Sequence, residues 1–193
     1  MCVGFTAITY LTYILQSREK KGSDESFWNE VNMKILEFSD THGYEGDILR
    51  ILYKESGVDL LIHCGDVEGG QWKIREMAGC PCWFVKGNND IFSDLPNELV
   101  INIGNLKAFV THGHLYGIHT TKARVEAQAR KHGAQIAMFG HTHYPYLEQK
   151  PDLTLLNPGS LTYPRQTGHQ GSYLLMEIDE QESVQYTIKY LEL

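Results

Sequence analysis

What this chain lacks narrows the field before any motif is read. It has four cysteines in 193 residues, Cys2, Cys64, Cys80 and Cys82, with no CxxC pair. That excludes a disulfide scaffold and makes reduced thiols in a cytoplasmic setting the expectation. Cys80-Pro81-Cys82 offers two sulfurs, which alone do not close a zinc site, so buried structural thiols are the simpler reading. No apolar run approaches the ~20 residues of a membrane span. The first run, VGFTAITYLTYIL, is broken by Thr and Tyr. It has no basic residue before it and no small-residue cleavage site after it, which argues against a signal peptide. Basic charge is also short: 17 Lys and Arg stand against 24 Asp and Glu, for a formal net charge of −7. That argues against a stable nucleic-acid partner or an anionic membrane surface. It leaves room for a small phosphate substrate, because bound cations reset the local field.

What is present fits one globular domain. Hydrophobic residues make up 42% and charged residues 21% of the chain, ordinary values for a protein with a real core. No repeat or low-complexity tract interrupts it. Residues 1–32 read as an extension, because QSREKKGSDESFWNE is charged and turn-rich and a new pattern begins at Met33. The Tyr-rich start of that extension could supply a contact for a homo-oligomer.

From Met33 the chain alternates. MKILEFSD (33–40), VDLLIHCGD (58–66) and CWFVKGNND (82–90) are strand patterns, with helical spacing in YEGDILRILYKES (44–56) and a helix or loop before the third strand. This order implies parallel pairing through crossovers. Two strand-like runs then surround Gly104-Asn105, a hairpin signal. TKARVEAQARKHG (121–133) is a helix ended by Gly133. AQIAMFGHTH (134–143), LTLLNPGS (153–160), GSYLLMEID (171–179) and VQYTIKYLEL (184–193) are further strands. A mixed sheet, or two packed sheets flanked by helices, fits this order.

Five strand-like runs finish in the same chemistry: Asp40-Thr41-His42, Gly65-Asp66, Gly87-Asn88-Asn89-Asp90, His112-Gly113-His114 and Gly140-His141-Thr142-His143. Each alone has an ordinary explanation as a turn or a solvated loop. Together they place carboxylates, imidazoles and an amide where ligands gather in open sheets, beyond the carboxyl ends of strands. There is no Ser-His pairing and no phosphate-cradling glycine loop. Imidazole with carboxylate suits zinc, manganese or iron, and the donors suffice for two ions sharing a bridge.

The ordered set DTH, GD, GNND, HGH and GHTH resembles the calcineurin-like metallophosphoesterases. The compact length, and NPGS followed by PR, are similar to the family's small bacterial and archaeal phosphodiesterase branch. The resemblance runs from Met33 to the C-terminus. It implies an α/β fold, a four-layer α-β-β-α sandwich of two mixed sheets flanked by helices, acting on a small phosphate ester. It implies one metal on Asp40, His42, Asp66 and His143, and another on Asp66, Asn88, His112 and His141, with Asp66 bridging. The ions would be two divalent cations, with manganese expected and iron, zinc or nickel the alternatives. The nucleophile would be a water activated between them. Asn88 would double as a donor to the phosphate, and Arg165 could reach a phosphate oxygen or make a surface ion pair.

One position departs from the family pattern. Many members carry His after the Gly-Asn of the third motif, where this chain has Asn89, and Asn cannot donate a proton in that role. His114 is the nearest substitute in sequence, or else supports a ligand. Of the remaining histidines, His63 reads as structural, whereas His119, His132 and His169 are expected to face solvent. A scaffold of the same fold is the competing reading, with the retromer subunit as its precedent. Against it, all seven ligand positions hold metal-competent residues. A repair-type nuclease is disfavoured by the negative charge.

Overall fold

The computed structural model describes residues 31–192. The extension therefore lies almost wholly outside the described residues, and the first strand begins at Val31, just ahead of Met33. The first half contains β1 (Val31–Phe38), α1 (Gly46–Glu55), β2 (Leu60–His63), α2 (Gln71–Ala78) and β3 (Cys82–Phe84). The second contains β4 (Glu98–Ile103), β5 (Leu106–Thr111), α3 (Ala123–Lys131), β6 (Ile136–Met138), β7 (Pro145–Gln149) and β8 (Thr154–Pro158), before β9 (Ser172–Asp179) and β10 (Val184–Tyr190) return to the first sheet.

Two mixed five-stranded sheets result, ordered β10-β9-β1-β2-β3 and β4-β5-β6-β8-β7. Strands β1, β2 and β3 run parallel, with Ile35 opposite Leu60 and Leu61 opposite Cys82. The β5, β6 and β8 strands are likewise parallel. Leu60–His63 is buried throughout, as expected of a parallel strand covered on both faces. Alternation then sorts the side chains into three cores. Ile35, Ile62, Val110, Met138 and Met176 fill the space between the sheets. Leu36, Phe38, Leu61 and Phe84 face outward onto Ile48 and Ile51 of α1 and Ile74 of α2. Phe109, Ala137 and Leu155 face outward onto Val125 and Ala129 of α3. Helix, sheet, sheet and helix thus form the four expected layers.

The segment left as helix or loop before β3 is helix α2, closed by Gly79 at φ +63°, the left-handed end that glycine permits. Strand β7 carries no sequence alternation and sits at a sheet edge beside β8. Cys64 is fully buried, whereas Cys80 and Cys82 are only half-buried against the outer core, and all three are free thiols. No helix among the described residues is long and apolar enough to cross a membrane. Because β1, β2, β3, β5 and β6 point the same way, the loops that leave them open at one end of the molecule, where the polar residues lie.

Candidate metal centre

All five polar loops begin within four residues of a strand end, and they converge. Donor atoms of Asp40, His42 and His143 lie within 4.8 Å of one another, as do those of Asp40, Asp66 and His112. Asn88 Oδ1 is 3.1 Å from His112 Nε2, and the His141 ring centroid is 5.0 Å from that of His112. Asp66 Oδ2 stands between the two groups, 3.5 Å from His112 Nε2 and 4.0 Å from His42 Nε2. The seven donor residues expected from sequence therefore share one neighbourhood.

The backbone there is strained. Asp40, His42, Asp66, His141 and His143 have φ of 54°, 48°, 55°, 68° and 60°. Asp and His tolerate this left-handed region better than most residues, yet each such residue costs about 1–3 kcal/mol. Such strain persists only where the surroundings over-determine it. Two glycines allow the close approach. A Cβ on Gly65, itself at φ +97°, would sit 2.7 Å from His112 Nδ1, and one on Gly87 would collide with Asp66.

Three imidazoles are held in the same tautomer. His112 Nδ1 donates to Cys64 O, His143 Nδ1 donates to Tyr163 O, and His42 Nδ1 lies against Glu68 Oε1, each at 2.7 Å. A partner on Nδ1 leaves the Nε2 lone pair of a neutral ring aimed into the centre. There it meets other acceptors. His143 Nε2 faces Asp40 Oδ1 at 3.2 Å. Asp40 Oδ1 and His42 Nε2 are buried without any hydrogen-bond partner. Buried acceptors turned toward acceptors are costly, and cations between them would resolve the conflict. The residues present thus fit divalent metal ions, and their nitrogen and oxygen donors suit manganese, iron, nickel or zinc.

Further residues brace the donors. Asp90 accepts backbone N–H groups from Asp66 (2.8 Å), Gly87 (2.8 Å) and Glu68 (2.6 Å). Asn89 does not hang free where a proton donor would be needed. Its backbone N–H and its Nδ2 donate to the two oxygens of Asp66 at 2.8 and 2.7 Å. Ser160 Oγ donates to Asp40 O at 2.7 Å, and Asn157 Nδ2 donates to Gly140 O at 3.0 Å, so NPGS ties the first loop to the last. Ser39 Oγ and the His141 N–H donate to Asp40 Oδ2.

These contacts set the charge states. Burial pushes the Asp40 carboxyl upward, but His143 and His112 outweigh it and hold the group below its usual range. Asp66 is held low in the same way by His112 and Asn89. Burial disfavours a charged His112, yet Asp66 and Asp40 outweigh it and push its pKa up. His141 is pushed down to about 4 by burial and by His112 and His119, which leaves its ring neutral at pH 7.

The other singled-out residues separate. Arg165 lines the cleft, exposed, with its guanidinium 3.5 Å from Thr142 O. His114 is half-buried, its ring centroid 5.3 Å from that of His112 and its Nδ1 unpaired. His63 is fully buried, bonded through Nε2 to Thr41 Oγ1 at 3.0 Å, and burial pushes its pKa to about 4. His119 is exposed, as expected, but the solvent it faces is that of the cleft. Its ring centroid lies 4.6 Å from that of His141. The cleft encloses about 390 Å³. A larger groove of about 580 Å³ runs beside α1 and β10, lined by Leu49, Tyr53, Tyr173 and Leu191. It has no imidazole in its lining, so convergence of donors, and not size, locates the site.

Strands delivering Asp-x-His, Gly-Asp, Gly-Asn, His-Gly-His and Gly-His-Thr-His loops to one end of a two-sheet sandwich define a metal-dependent phosphoesterase class. The chain belongs to the calcineurin-like phosphoesterase superfamily, whose domain model matches residues 33–181. It is 41% identical over 134 residues to the probable metallophosphoesterase YsnB of Bacillus subtilis, covering 69% of this chain and 78% of that one. It is 28% identical over 172 residues to the phosphodiesterase YfcE of Escherichia coli K12, covering 76% of this chain and 89% of that one. Among solved structures, a conserved uncharacterized protein of Streptococcus pneumoniae TIGR4, a predicted phosphoesterase, superposes with a TM-score of 0.67 at 27% identity. That match covers 82% of this chain and 98% of the other.

Proposed function

We propose that this protein is a metal-dependent phosphodiesterase that cleaves a small phosphate ester at a two-ion centre. The observation that carries the reading is the set of three histidines with Nδ1 held and Nε2 turned toward the carboxylates of Asp40 and Asp66, where Asp40 Oδ1 and His42 Nε2 are buried without a partner. Asp40, His42, Asp66 and His143 would hold one ion, and Asp66, Asn88, His112 and His141 the other, with Asp66 shared. Divalent ions there supply Lewis acidity toward a phosphate oxygen and lower the pKa of water to near neutrality.

The chain's own residues do the rest. Asp90 and Asn89 fix Asp66, so the shared carboxylate cannot rotate away when the site is loaded. Glu68 makes His42 a better donor by accepting its Nδ1 proton. The guanidinium of Arg165 can grip a non-bridging phosphate oxygen with its planar fork. With the Asn89 amide committed to Asp66, no acid stands in the usual place to protonate the leaving oxygen. That favours diesters with good leaving groups over unactivated ones. Manganese is the ion we expect to support most turnover.

Hydrolysis of bis-p-nitrophenyl phosphate by chelator-stripped protein with Mn²⁺ restored tests this directly. Ion-dependent release of p-nitrophenol, lost in Asp66→Asn, supports it. A folded protein inert with Mn²⁺, Ni²⁺, Zn²⁺ and Fe²⁺ refutes it in favour of a scaffold role.

A further inference from the structure

Beyond the donor residues, the cleft walls are Asn89, His119, Tyr163 and Arg165. Asn89 is committed to Asp66, and His119 lies against His141. Tyr163 stands out because it is anchored and uncovered at once. Its backbone N–H donates to Ser160 Oγ at 2.9 Å, and its carbonyl accepts from His143 Nδ1. Its ring meets His42 edge-on at 5.2 Å and the Tyr44 ring at 6.5 Å and 90°. Even so, Tyr163 keeps 51% of its surface exposed, and Tyr44 keeps 63%. A core aromatic would be covered and a passive surface aromatic would not line a cleft. Other apolar side chains crowd the same loops. Ile91, Phe92, Leu115 and Tyr144 are all exposed, each within four residues of a metal donor in the chain.

We propose that Tyr163, flanked by Tyr44, is a stacking subsite for a planar base, so that the substrate is a nucleoside phosphodiester with its phosphate gripped by Arg165. The inference rests on the phosphodiesterase reading and deepens it. A base presents a flat face that stacks on an aromatic ring whatever its sequence identity. A polyol diester would leave Tyr163 as wet as it is now. The cleft, about 390 Å³, is at the small end of ligand sites, about 300–1,000 Å³. It suits one nucleotide unit. A polymer would need a basic track for its backbone, and among the described lining residues of the cleft Arg165 is the one Lys or Arg.

The test uses two diesters with the same leaving group, thymidine 5′-p-nitrophenyl phosphate and methyl p-nitrophenyl phosphate, with the full chain and Mn²⁺. The thymidine ester should show kcat/KM higher by about tenfold, the scale of one base–aromatic stack, with the gain in KM. Tyr163→Ala should collapse that ratio toward one, and Tyr163→Phe should keep it. Tyr44→Ala should lower it by a smaller factor. Equal kcat/KM values in the unsubstituted protein, or a ratio indifferent to Tyr163→Ala, overturn the subsite while leaving the phosphodiesterase standing. If neither ester is cleaved, the phosphodiesterase reading falls. Calorimetric titration with thymidine 5′-phosphate against methyl phosphate then decides the subsite alone. Tighter, Tyr163-dependent binding of the thymidine compound supports it, and equal binding overturns it.

Discussion

Glu37 and Asp40 are both fully buried carboxyl groups, three residues apart along one strand and its exit, yet their surroundings drive them to opposite charge states. Glu37 points between the sheets, where the Cys64 thiol donates to one oxygen at 3.3 Å and the other has no partner. Burial pushes its pKa up to about 8. Asp40 is just as dry, but His143, His112 and Ser39 surround it and keep it ionised against the cost of burial. Burial alone neutralises a carboxylate; a ring of donors and imidazoles keeps it charged and so able to hold a cation.

Substitutions can break or sharpen that contrast, in order of falling effect on the site. Asp40→Asn should remove high-affinity metal binding and lower diester turnover by about 10²–10³-fold or more, read by calorimetry and steady-state kinetics. Undiminished metal binding would erase the distinction between the two carboxyls. Asp90→Ala leaves three N–H groups without their acceptor. It should lower unfolding free energy by about 2–4 kcal/mol in urea titration, with turnover falling too because Asp66 loosens. Glu68→Gln weakens the acceptor behind His42 and should loosen metal binding by about tenfold, with little change in thermal midpoint.

Glu37→Gln should leave metal affinity unchanged and act on stability alone. Between pH 4.5 and about 8, folded Glu37 holds a proton that the unfolded chain has released. Stability attached to it is complete below pH 4.5 and is lost as pH rises through that window. The slope is at most ~1.4 kcal/mol per pH unit. The Gln variant should lack this contribution, which denaturant melts at pH 5 and pH 8 would reveal.

The contrast also marks how far the sequence could be read. The strand ends were legible because apolar runs broke off into Asp, His and Asn at five places, and the parallel order followed from the helix between β1 and β2. Strand β7 was not legible. Pro145–Gln149 lies at an edge with intermediate burial, so its sequence carries no period of two. Helix α2 stayed ambiguous because Ile74 is its one fully buried side chain. The family resemblance of the motifs pointed to seven residues that the fold brings close together, but their bracing was not legible. Asp90 acts on backbone N–H groups, one of them 24 residues away. Asn89, read as a missing proton donor, turns out to clamp Asp66. The left-handed φ of Asp40, His42 and Asp66 is permitted by these residue types but not dictated by them. His119 reached the cleft through a loop whose path no local pattern encodes.

The most direct test is the metal stoichiometry of the chelator-stripped chain, measured by calorimetric titration with Mn²⁺ at pH 7.5 beside Asp66→Asn. The expected result is two ions per chain, with at most one retained by the variant. A folded chain that takes up no Mn²⁺, Zn²⁺ or Ni²⁺, or that binds two ions equally well without the Asp66 carboxylate, would contradict a centre built around that shared residue.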